Sequence, residues 1–536
     1  LWTGYQTPTV GCFEKQDSTN WCPLPEDIAP RDDGLKGSDH LNTPEVIARQ
    51  VERLSLAVSM PTENFDDNGD VDEDPRWATF DKFHEVLKKL FPLVHQNFAL
   101  QKVNRYGLLY TLKGTNSSLK PILLTAHQDV VPAGPASSWT HPPFSPYYDG
   151  DFLWGRGSTD CKNVLIGIMS ALEDILSQSF VPHRTVVLAF GFDEETGGVR
   201  GAATLAKTLL KEWGNDSFVL ILDEGGMEVQ TLGDVMYALP AVAEKGYHDV
   251  RLTLRTTGGH SSTPPPHTGI GIMAQLVVAL EKEPYVPRLT QTNPFRRVQE
   301  CKAKYSPDRV PPWLKSSLES GDEERIARKL AENAEAERWL MQTSQAVDLI
   351  AGGIKVNALP ELVEVLVNHR IAPHQSIEWV NEHIKKVLTP LAEGLGIEVI
   401  GPDNMMPISN NLTLTSQFTT GKLTFSSPHS LEVAPISPTK DSSVWALFGG
   451  TIRYVFENTD NGRGKTVVPV GGIMTGNTDT QHYWNLTRNI YRFSPVRKGA
   501  RLNAHTVDER MEMKAHVEGM RIYYDLIRNF DAWSGE

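Results

Sequence analysis

Short, continuous apolar runs separated by segments of helical spacing form the clearest pattern along the chain. The runs have strand length and lie at 121–126, 184–190 and 218–222. Uninterrupted apolar runs of this length are typical of strands that are buried on both faces. The segments between them, 163–177 and 201–213, have apolar residues at helical intervals. This alternation predicts an α/β fold with a central, mostly parallel sheet flanked by helices.

Further elements are predicted on both sides of this α/β pattern. Thr43 as N-cap and Pro44 at the first helical position predict a helix, which we place at 46–59. The remaining predicted elements of this part are helices at 79–90 and 511–529 and strands at 445–456 and 467–474.

From Tyr247 onward the pattern changes to an alternation of polar and apolar residues, which predicts a strand with one solvated face at 248–256. The elements predicted after it are a helix at 271–282, a charged helical stretch at 322–350, strands at 353–359 and 362–370, and a helix at 376–388. They form an α+β module at 246–432. We expect this module to be inserted in a first domain made of 1–245, with an extended arm at 1–40, and 433–536.

The composition narrows the class of protein. The 536 residues have a hydrophobic content of 40% and a formal net charge of −14, which fits a globular protein and speaks against a nucleic-acid partner. No apolar run approaches the roughly 20 residues of a membrane span. Because the chain begins at Leu1, a signal peptide or N-terminal anchor removed before it would not be visible.

The cysteines and glycosylation sequons favour the secretory route. Cys12 and Cys22 lie close together in a polar stretch and are expected to close a small disulfide loop, whereas Cys161 and Cys301 are expected to be single thiols. Four Asn-x-Ser/Thr sequons are present, at Asn116, Asn215, Asn411 and Asn485. Such triplets also occur by chance.

Four polar clusters follow apolar strands or the turns beside them. They contain His127 and Asp129, Asp160, the run Asp193-Glu194-Glu195, and Asp223. Successive clusters are separated by roughly one strand–helix–strand step, so all four are expected at the edge formed by the carboxyl ends of the strands. A histidine with several carboxylates at one edge predicts a site for divalent metal ions.

Each cluster also has an ordinary structural interpretation. His127 alone would be a hydrogen-bonded histidine at a strand end, and Asp160 alone would be a helix N-cap. A pair of metal ions needs a second histidine, and the candidates are His505 and, as its competitor, His482.

Taken in order, these clusters resemble the M20 family of co-catalytic zinc peptidases, and in particular its carboxypeptidase S or Gly-X carboxypeptidase branch. The matching segments are 125–132, 154–162, 192–198, 222–226, 258–267 and 504–509. The resemblance implies an M20-type catalytic domain with an inserted α+β lid domain. It also implies two zinc ions, with cobalt or manganese as substitutes, held by His127, Asp160, Glu195, Asp223 and His505, with Asp160 bridging.

The same resemblance implies roles for several further residues. Glu194 would be the general base acting on a water shared by the two ions, Asp129 would orient His127, and the peptide bond after Asp160 would be cis. His260 in the lid would polarise the scissile carbonyl; a simple turn residue is the alternative interpretation of His260. Arg370 and Asn357 would bind the substrate carboxylate, and the alternative for Arg370 is a surface cation on a strand.

We therefore expect a secreted or vacuolar zinc carboxypeptidase that hydrolyses the C-terminal amide bond of short Gly-X peptides. The alternative is an N-acyl amino-acid amidohydrolase or condensing enzyme that uses the same site. The lid of several relatives pairs two subunits, so a homodimer is an expected partner arrangement. One departure is Gln481, which stands where the family pattern has Arg. A non-enzymatic relative would need a lost ligand or base, and all these positions are filled.

Overall fold

The computed structural model describes residues 21–401 and 420–535. Cys12 and the sequon at Asn411 lie outside the described residues. The chain forms two compact units, one made of Leu24–Lys245 with Val433–Glu536 and the other of Leu1–Pro23 with Gly246–Glu432. Among the described helices, none has the length and apolar character needed to cross a membrane.

The helices and strands have the following bounds. The helices are α1 (Pro44–Val58), α2 (Thr79–Leu90), α3 (Pro92–Asn97), α4 (Lys162–Ser177), α5 (Ala202–Trp213), α6 (Gly269–Lys282), α7 (Pro294–Tyr305), α8 (Pro312–Ser320), α9 (Glu323–Asn333), α10 (Glu335–Trp339), α11 (Ile377–Gly394), α12 (Ser443–Glu457) and α13 (Met513–Ala532). The strands are β1 (Ala99–Val103), β2 (Gly107–Leu112), β3 (Ile122–His127), β4 (Tyr147–Tyr148), β5 (Phe152–Trp154), β6 (Val186–Gly191), β7 (Leu220–Asp223), β8 (Val229–Leu232), β9 (Val235–Ala238), β10 (Ala241–Glu244), β11 (Gly246–Thr256), β12 (Ser344–Gly352), β13 (Leu362–Ile371), β14 (Ile397–Ile400), β15 (Gly421–Ser426), β16 (Ser430–Leu431), β17 (Thr466–Pro469), β18 (Gly472–Met474), β19 (Ile490–Arg492), β20 (Arg501–Leu502) and β21 (Arg510–Glu512).

The main sheet of the first unit has the strand order β1-β2-β6-β3-β7-β19-β10-β18. Its centre is parallel: β3 pairs in parallel with both β6 and β7, and β7 pairs in parallel with β19. The outer pairs β1–β2 and β2–β6 are antiparallel. The predicted central, mostly parallel sheet is confirmed.

Alternate residues of the central strands pack into separate helical layers. Ile122 and Leu124 of β3 pack with α4 and α13, whereas Leu123, which points to the other side, packs with α5. Both sides of β3 are therefore covered, which is why the consecutive residues Ile122, Leu123 and Leu124 are all apolar. The sheet lies between helices, as the sequence pattern predicts.

The second unit is built around an antiparallel sheet. Its strand order is β12-β13-β11-β15-β14, with β16 also pairing with β11, and only β14 and β15 pair in parallel among its described strands. In β13, buried and half-buried positions alternate from Val363 to Ile371, so one face is covered and the other is more open. Helices α6 and α11 pack against each other in this unit.

Three predicted elements of secondary structure are wrong. The segment 445–456 was predicted as a strand but belongs to α12. The prediction failed because the pattern of a continuous apolar run does not distinguish a buried strand from a buried helix. The predicted strand at 353–359 is instead a turn segment, in which Gly353 has the left-handed φ of 76°. The predicted charged helix at 322–350 ends early: α9 and α10 are followed by β12, where pairing with β13 overrides local helical preference.

The predicted disulfide is also wrong. Cys22 pairs with Cys301, at a sequence separation of 279, and Cys161 is a buried free thiol as expected. Lys304 and Tyr305 of α7 donate further hydrogen bonds to the carbonyl oxygen of Cys22. Proximity in sequence suggested the pair Cys12–Cys22, but the fold decides which cysteines meet. The bond also explains why residues 21–23 belong to the same unit as α7 and not to the unit that contains residues 24–245.

Candidate metal centre

The site lies at the carboxyl ends of three neighbouring strands in the main sheet. β3 ends at His127, β7 ends at Asp223, and the loop after β6 carries Glu194 and Glu195. These strands are adjacent in the order β6-β3-β7. Parallel pairing therefore brings side chains that are up to about a hundred positions apart to one edge, as expected for an α/β sheet.

Asp160 lies between the two histidines of the site. Its Oδ1 is 3.2 Å from Nε2 of His127, and its Oδ2 is 3.2 Å from Nε2 of His505. Nε2 of His505 is also 3.2 Å from Oε2 of Glu195, and Oε2 of Glu194 is 3.9 Å from Nε2 of His127. Each oxygen of Asp160 thus faces a different histidine.

Two sets of these side chains have ligand atoms within 4.8 Å of one another. One set is His127, Glu194 and Glu195, and the other is Asp160, Glu195 and His505. A third set joins Cys161 to His127 and Asp160. Asp223 is not a member of these sets; Thr125 donates a hydrogen bond to its Oδ1. The predicted cis peptide bond Asp160–Cys161 is confirmed. The N-cap of α4 is Cys161, so Asp160 does not occupy the N-cap position.

Asp129 connects the end of β3 to the loop after β6. Its carboxylate accepts hydrogen bonds from the backbone N–H groups of Glu194 (3.2 Å) and Glu195 (3.1 Å) and from the side chain of Asn64 (3.0 Å). Its Oδ1 also lies 3.3 Å from Nδ1 of His127. One fully buried carboxylate therefore holds both the His127 ring and the glutamate loop.

Two carboxylate oxygens at the site have no hydrogen-bond partner among the described residues. They are Oε1 of Glu195 and Oδ2 of Asp223, and both are buried. A buried carboxylate oxygen is costly unless it is paired or bound to a cation. These oxygens, together with the imidazoles of His127 and His505, form the mixed nitrogen and oxygen donor set that suits zinc.

The pKa shifts show that the site carries more negative charge than its histidines balance. Burial, reinforced by the neighbouring Glu195, raises the pKa of Glu194 well above its ordinary value. Burial and the charges of Asp160 and Asp223 raise the pKa of Glu224 to about 8. A divalent cation would relieve this repulsion, so the residues fit a metal site.

The pKa shifts of Asp160 and His505 favour the charged form of each group, because the two side chains are paired with each other. Burial alone would raise the pKa of Asp160, but hydrogen bonds with His127 and His505 outweigh it and hold that pKa well below its ordinary value. Hydrogen bonds with Asp160 and Glu195 raise the pKa of His505 to about 10. In both pairs the Nε2 of the histidine faces an oxygen of Asp160, and a bound cation could take the place of the proton between them.

Comparison with known proteins agrees with this geometry. The family described as "Peptidase family M20/M25/M40" matches residues 123–529. The chain belongs to this peptidase family. The M20 chain is 39% identical over 526 residues to carboxypeptidase S of Saccharomyces cerevisiae, covering 96% of this chain and 90% of that protein.

Two further comparisons extend the family relation. The chain is 30% identical over 524 residues to the N-fatty-acyl-amino acid synthase/hydrolase PM20D1 of Bos taurus, covering 94% of this chain and 93% of that protein. The fold resembles the solved M20 family metallo-carboxypeptidase Sso-CP2 of Sulfolobus solfataricus, with a TM-score of 0.59, 15% identity, and coverage of 90% of this chain and 99% of that one.

The competing histidine, His482, has a different environment in this M20 chain. Its Nε2 is 2.9 Å from the carbonyl oxygen of Gly197, and burial lowers its pKa. The neighbouring Asp479 is buried, and a Cβ added at Gly191 or Gly198 would collide with its carboxylate. Sequence reasoning did not select Asp479, although it lies in the same segment as His482.

The remaining predicted residues lie in the unit formed by 246–432. His260 is exposed and lies 2.7 Å through Nδ1 from Oγ of Ser262, and its backbone forms a bridge with Ala358, next to Asn357. Arg370 is placed elsewhere in this unit, with its guanidinium 4.7 Å from the centre of the Tyr247 ring. The structure therefore brings His260 and Asn357 together but separates Arg370 from them along β11.

Proposed function

We propose that this M20 protein is a di-zinc metallocarboxypeptidase that hydrolyses the C-terminal amide bond of short peptides of the Gly-X type. The observation that carries the proposal is Asp160, whose two oxygens each lie 3.2 Å from the Nε2 of a different histidine. A bridging carboxylate with one histidine on each side suits two metal ions. The 39% identity to carboxypeptidase S supports the choice of peptide substrates.

The five residues that would hold the two ions are His127, Asp160, Glu195, Asp223 and His505. Zinc bound there would polarise the scissile carbonyl and lower the pKa of a nearby water toward neutrality. Asp129 keeps Nδ1 of His127 oriented, so that Nε2 faces Asp160.

Glu194 is the proton carrier in this proposal. It accepts a proton from the water that attacks the amide carbonyl and later delivers that proton to the leaving amine. The backbone N–H of Glu194 donates a hydrogen bond to Asp129 at 3.2 Å, and this bond fixes the backbone from which the Glu194 carboxylate extends next to His127. The products are a shortened peptide and a free amino acid.

A homodimer in which His260 and Asn357 act in the site of a second copy is part of the proposal. β11 has 11 residues at about 3.4 Å each, so its ends are more than about 30 Å apart. Arg370 pairs with Tyr247 near one end, and His260 follows the other end. A short peptide spans about 3.5 Å per residue, so it cannot contact Arg370 and His260 of the same chain.

The edge strand of the second unit supports the same arrangement. β12 lies at the edge of its sheet, and Leu349 and Ile350 on it are 63% and 62% exposed. An exposed apolar edge strand is a ready surface for pairing with another copy. The dimer would cover these side chains.

The alternative substrate class is N-acyl amino acids. An apolar groove of about 540 Å³ is lined by Ser261, next to His260, and by Ile270 and Ile354. Ile354 and Val356 are almost fully exposed, on either side of Lys355 and just before Asn357. An acyl chain would bury such a surface, and the relationship to proteins named N-fatty-acyl-amino acid synthase/hydrolase supports this choice.

A substrate panel separates the two classes. N-blocked Gly-Leu peptides and N-oleoyl amino acids are assayed with the same preparation, with and without a chelator and with zinc added back. Faster, chelator-sensitive release of leucine supports the carboxypeptidase. Faster hydrolysis of the oleoyl substrates would favour the alternative, and chelator-insensitive activity would contradict both.

We also infer a secretory destination, in the vacuolar lumen or outside the cell. The Cys22–Cys301 disulfide suits an oxidising compartment, and the sequon residues Asn215 and Asn485 lie at least partly at the surface. Enzymatic removal of N-glycans from the native protein should lower its apparent mass. An unchanged mass would mean that no sequon carries a glycan, and it would contradict the inference.

A further inference from the structure

Two loops that carry predicted metal ligands adjoin the same end of two paired strands, β5 and β21. β5 and β21 are antiparallel, and Trp154 at the end of β5 is paired with Arg510 at the start of β21. The segment 155–160 follows β5 and ends at Asp160, and the segment 503–509 precedes β21 and contains His505. Antiparallel pairing therefore places the two loops side by side.

The carboxylate of Glu509 joins these loops. It is fully buried and accepts hydrogen bonds from the backbone N–H groups of Gly157 (3.1 Å), Thr159 (2.8 Å) and Asp160 (3.2 Å). It also accepts from Oγ1 of Thr159 (2.9 Å) and from Nη1 of Arg156 (2.6 Å). One side chain of the His505 loop thus binds almost the whole loop that ends at Asp160.

The His505 loop has a backbone that needs external support. Asn503, His505 and Asp508 all have left-handed φ values, of 62°, 59° and 60°. Residues other than glycine adopt this conformation at a cost, and they keep it only where the surroundings enforce it. Asp508 is held by two hydrogen bonds from Thr140, and Glu509 anchors the next position.

We propose that Glu509 is a positioning residue that sets the separation between Asp160 and His505. It bonds directly to the N–H of Asp160 and lies four residues after His505 in the same loop. A shift of Glu509 therefore changes the distance of 3.2 Å between Oδ2 of Asp160 and Nε2 of His505. The inference deepens the proposed function and depends on it, because the two ligands need this separation only if they share metal ions.

The test is the zinc affinity of the Glu509→Gln variant. The amide keeps the shape of the side chain but loses the charge that faces Arg156 and turns one acceptor into a donor. Apo protein is titrated with zinc in competition with a chromophoric chelator. We expect the dissociation constant of the weaker of two bound ions to rise about 10- to 100-fold, the effect typical of groups that orient metal ligands.

Glu173→Gln is the matched control. Glu173 is also a buried carboxylate that accepts two backbone hydrogen bonds, from Leu93 (3.0 Å) and Val94 (2.9 Å), but these partners belong to neither loop. This variant should bind zinc as the wild type does, even if its apo form melts at a lower temperature. An equal loss of zinc affinity in Glu173→Gln would overturn the proposal, since the effect would then be general.

The remaining outcomes separate this inference from the proposed function. A wild-type protein that binds no zinc contradicts the proposed function itself. A wild type that binds two ions, with a Glu509→Gln variant of unchanged affinity, overturns only the positioning role. If circular dichroism shows that Glu509→Gln is unfolded, Thr159→Val carries the test. It removes one donor to Glu509, so the zinc dissociation constant should rise about twofold or more, and an unchanged constant would overturn the proposal.

Discussion

At the scale of single residues, the site is defined by an excess of carboxylates over cationic groups. Asp160 and His505 are mutually stabilised in their charged forms, whereas burial raises the pKa values of Glu194, Glu195 and Asp223. This imbalance would be unfavourable in a protein without a cation. The contribution of each of these residues to zinc binding or to turnover can be tested with a single variant.

Glu194→Gln should reduce turnover about 10²- to 10⁴-fold, because an amide cannot accept the proton of the attacking water. Glu194 is not among the five proposed ligands, so the variant should keep both zinc ions. Steady-state kinetics and metal analysis on the same preparation provide the check. Near-normal turnover would show that another group is the base.

His505→Ala and His482→Ala form a matched pair of variants. Loss of His505 removes the imidazole that faces both Asp160 and Glu195, so zinc content should fall from two equivalents toward one. His482 is bonded to the carbonyl oxygen of Gly197, and its loss should leave both equivalents in place. The reverse pattern, measured by mass spectrometry of the metal, would identify His482 as the second histidine.

At the scale of elements, α12 illustrates how a helix can be hidden in an apolar run. Ser442 caps its first turn, and its side chain accepts a hydrogen bond from the backbone N–H of Trp445 (3.2 Å). The helix packs against α13 and β17 and is buried on most of its surface. A helix buried all round loses the alternation of faces that sequence patterns detect.

Ser442→Ala should therefore lower the free energy of unfolding by about 1 kcal/mol, the usual cost of losing an N-cap acceptor. Ser442→Thr retains the hydroxyl and should recover most of the loss. Chemical denaturation of the three proteins, followed by circular dichroism, measures the difference. Equal stability of Ser442→Ala and wild type would mean that tertiary packing alone holds the first turn of α12.

At the scale of the whole molecule, the proposed dimer makes a quantitative prediction about mixed subunits. Co-expression of Glu194→Gln with His260→Ala should restore about one quarter of wild-type activity, because half of the dimers are mixed and each mixed dimer has one complete site. Each variant alone should be nearly inactive.

The separation of Arg370 from His260 along β11 is the reason to expect this rescue. If His260 serves the site of its own chain, every site in the mixture lacks either Glu194 or His260 and no activity returns. Dimer formation is checked on the same samples by light scattering, and a wholly monomeric wild type would contradict the arrangement.

The disulfide is a second feature at this scale. Replacing Cys22 and Cys301 together with Ser should lower the stability of the unit that contains α7 by about 2–4 kcal/mol. Thermal unfolding with and without a thiol reductant provides the measurement: the reductant should lower the melting temperature of the wild type and leave the double variant unchanged. A wild type that is insensitive to reduction of this bond would contradict the prediction.

The sequence by itself determined the α/β class, most helices and the central strands, because buried parallel strands and amphipathic helices have distinct periodicities. It also identified the edge of the sheet where His127, Glu194 and Glu195 meet, since parallel strands place their carboxyl ends together. The order and spacing of the polar clusters were sufficient to identify the M20 family.

Only the tertiary structure decided which distant residues meet. The disulfide joins Cys22 to Cys301, and the hydrogen bonds of Glu509 join it to the loop that ends at Asp160; both connect positions more than 270 residues apart. Local propensity carries no information on such contacts, because they depend on how whole elements pack. The same reason explains why α12 was predicted as a strand and β12 as part of a helix. Packing against neighbouring elements, rather than local sequence, selects the conformation of both segments.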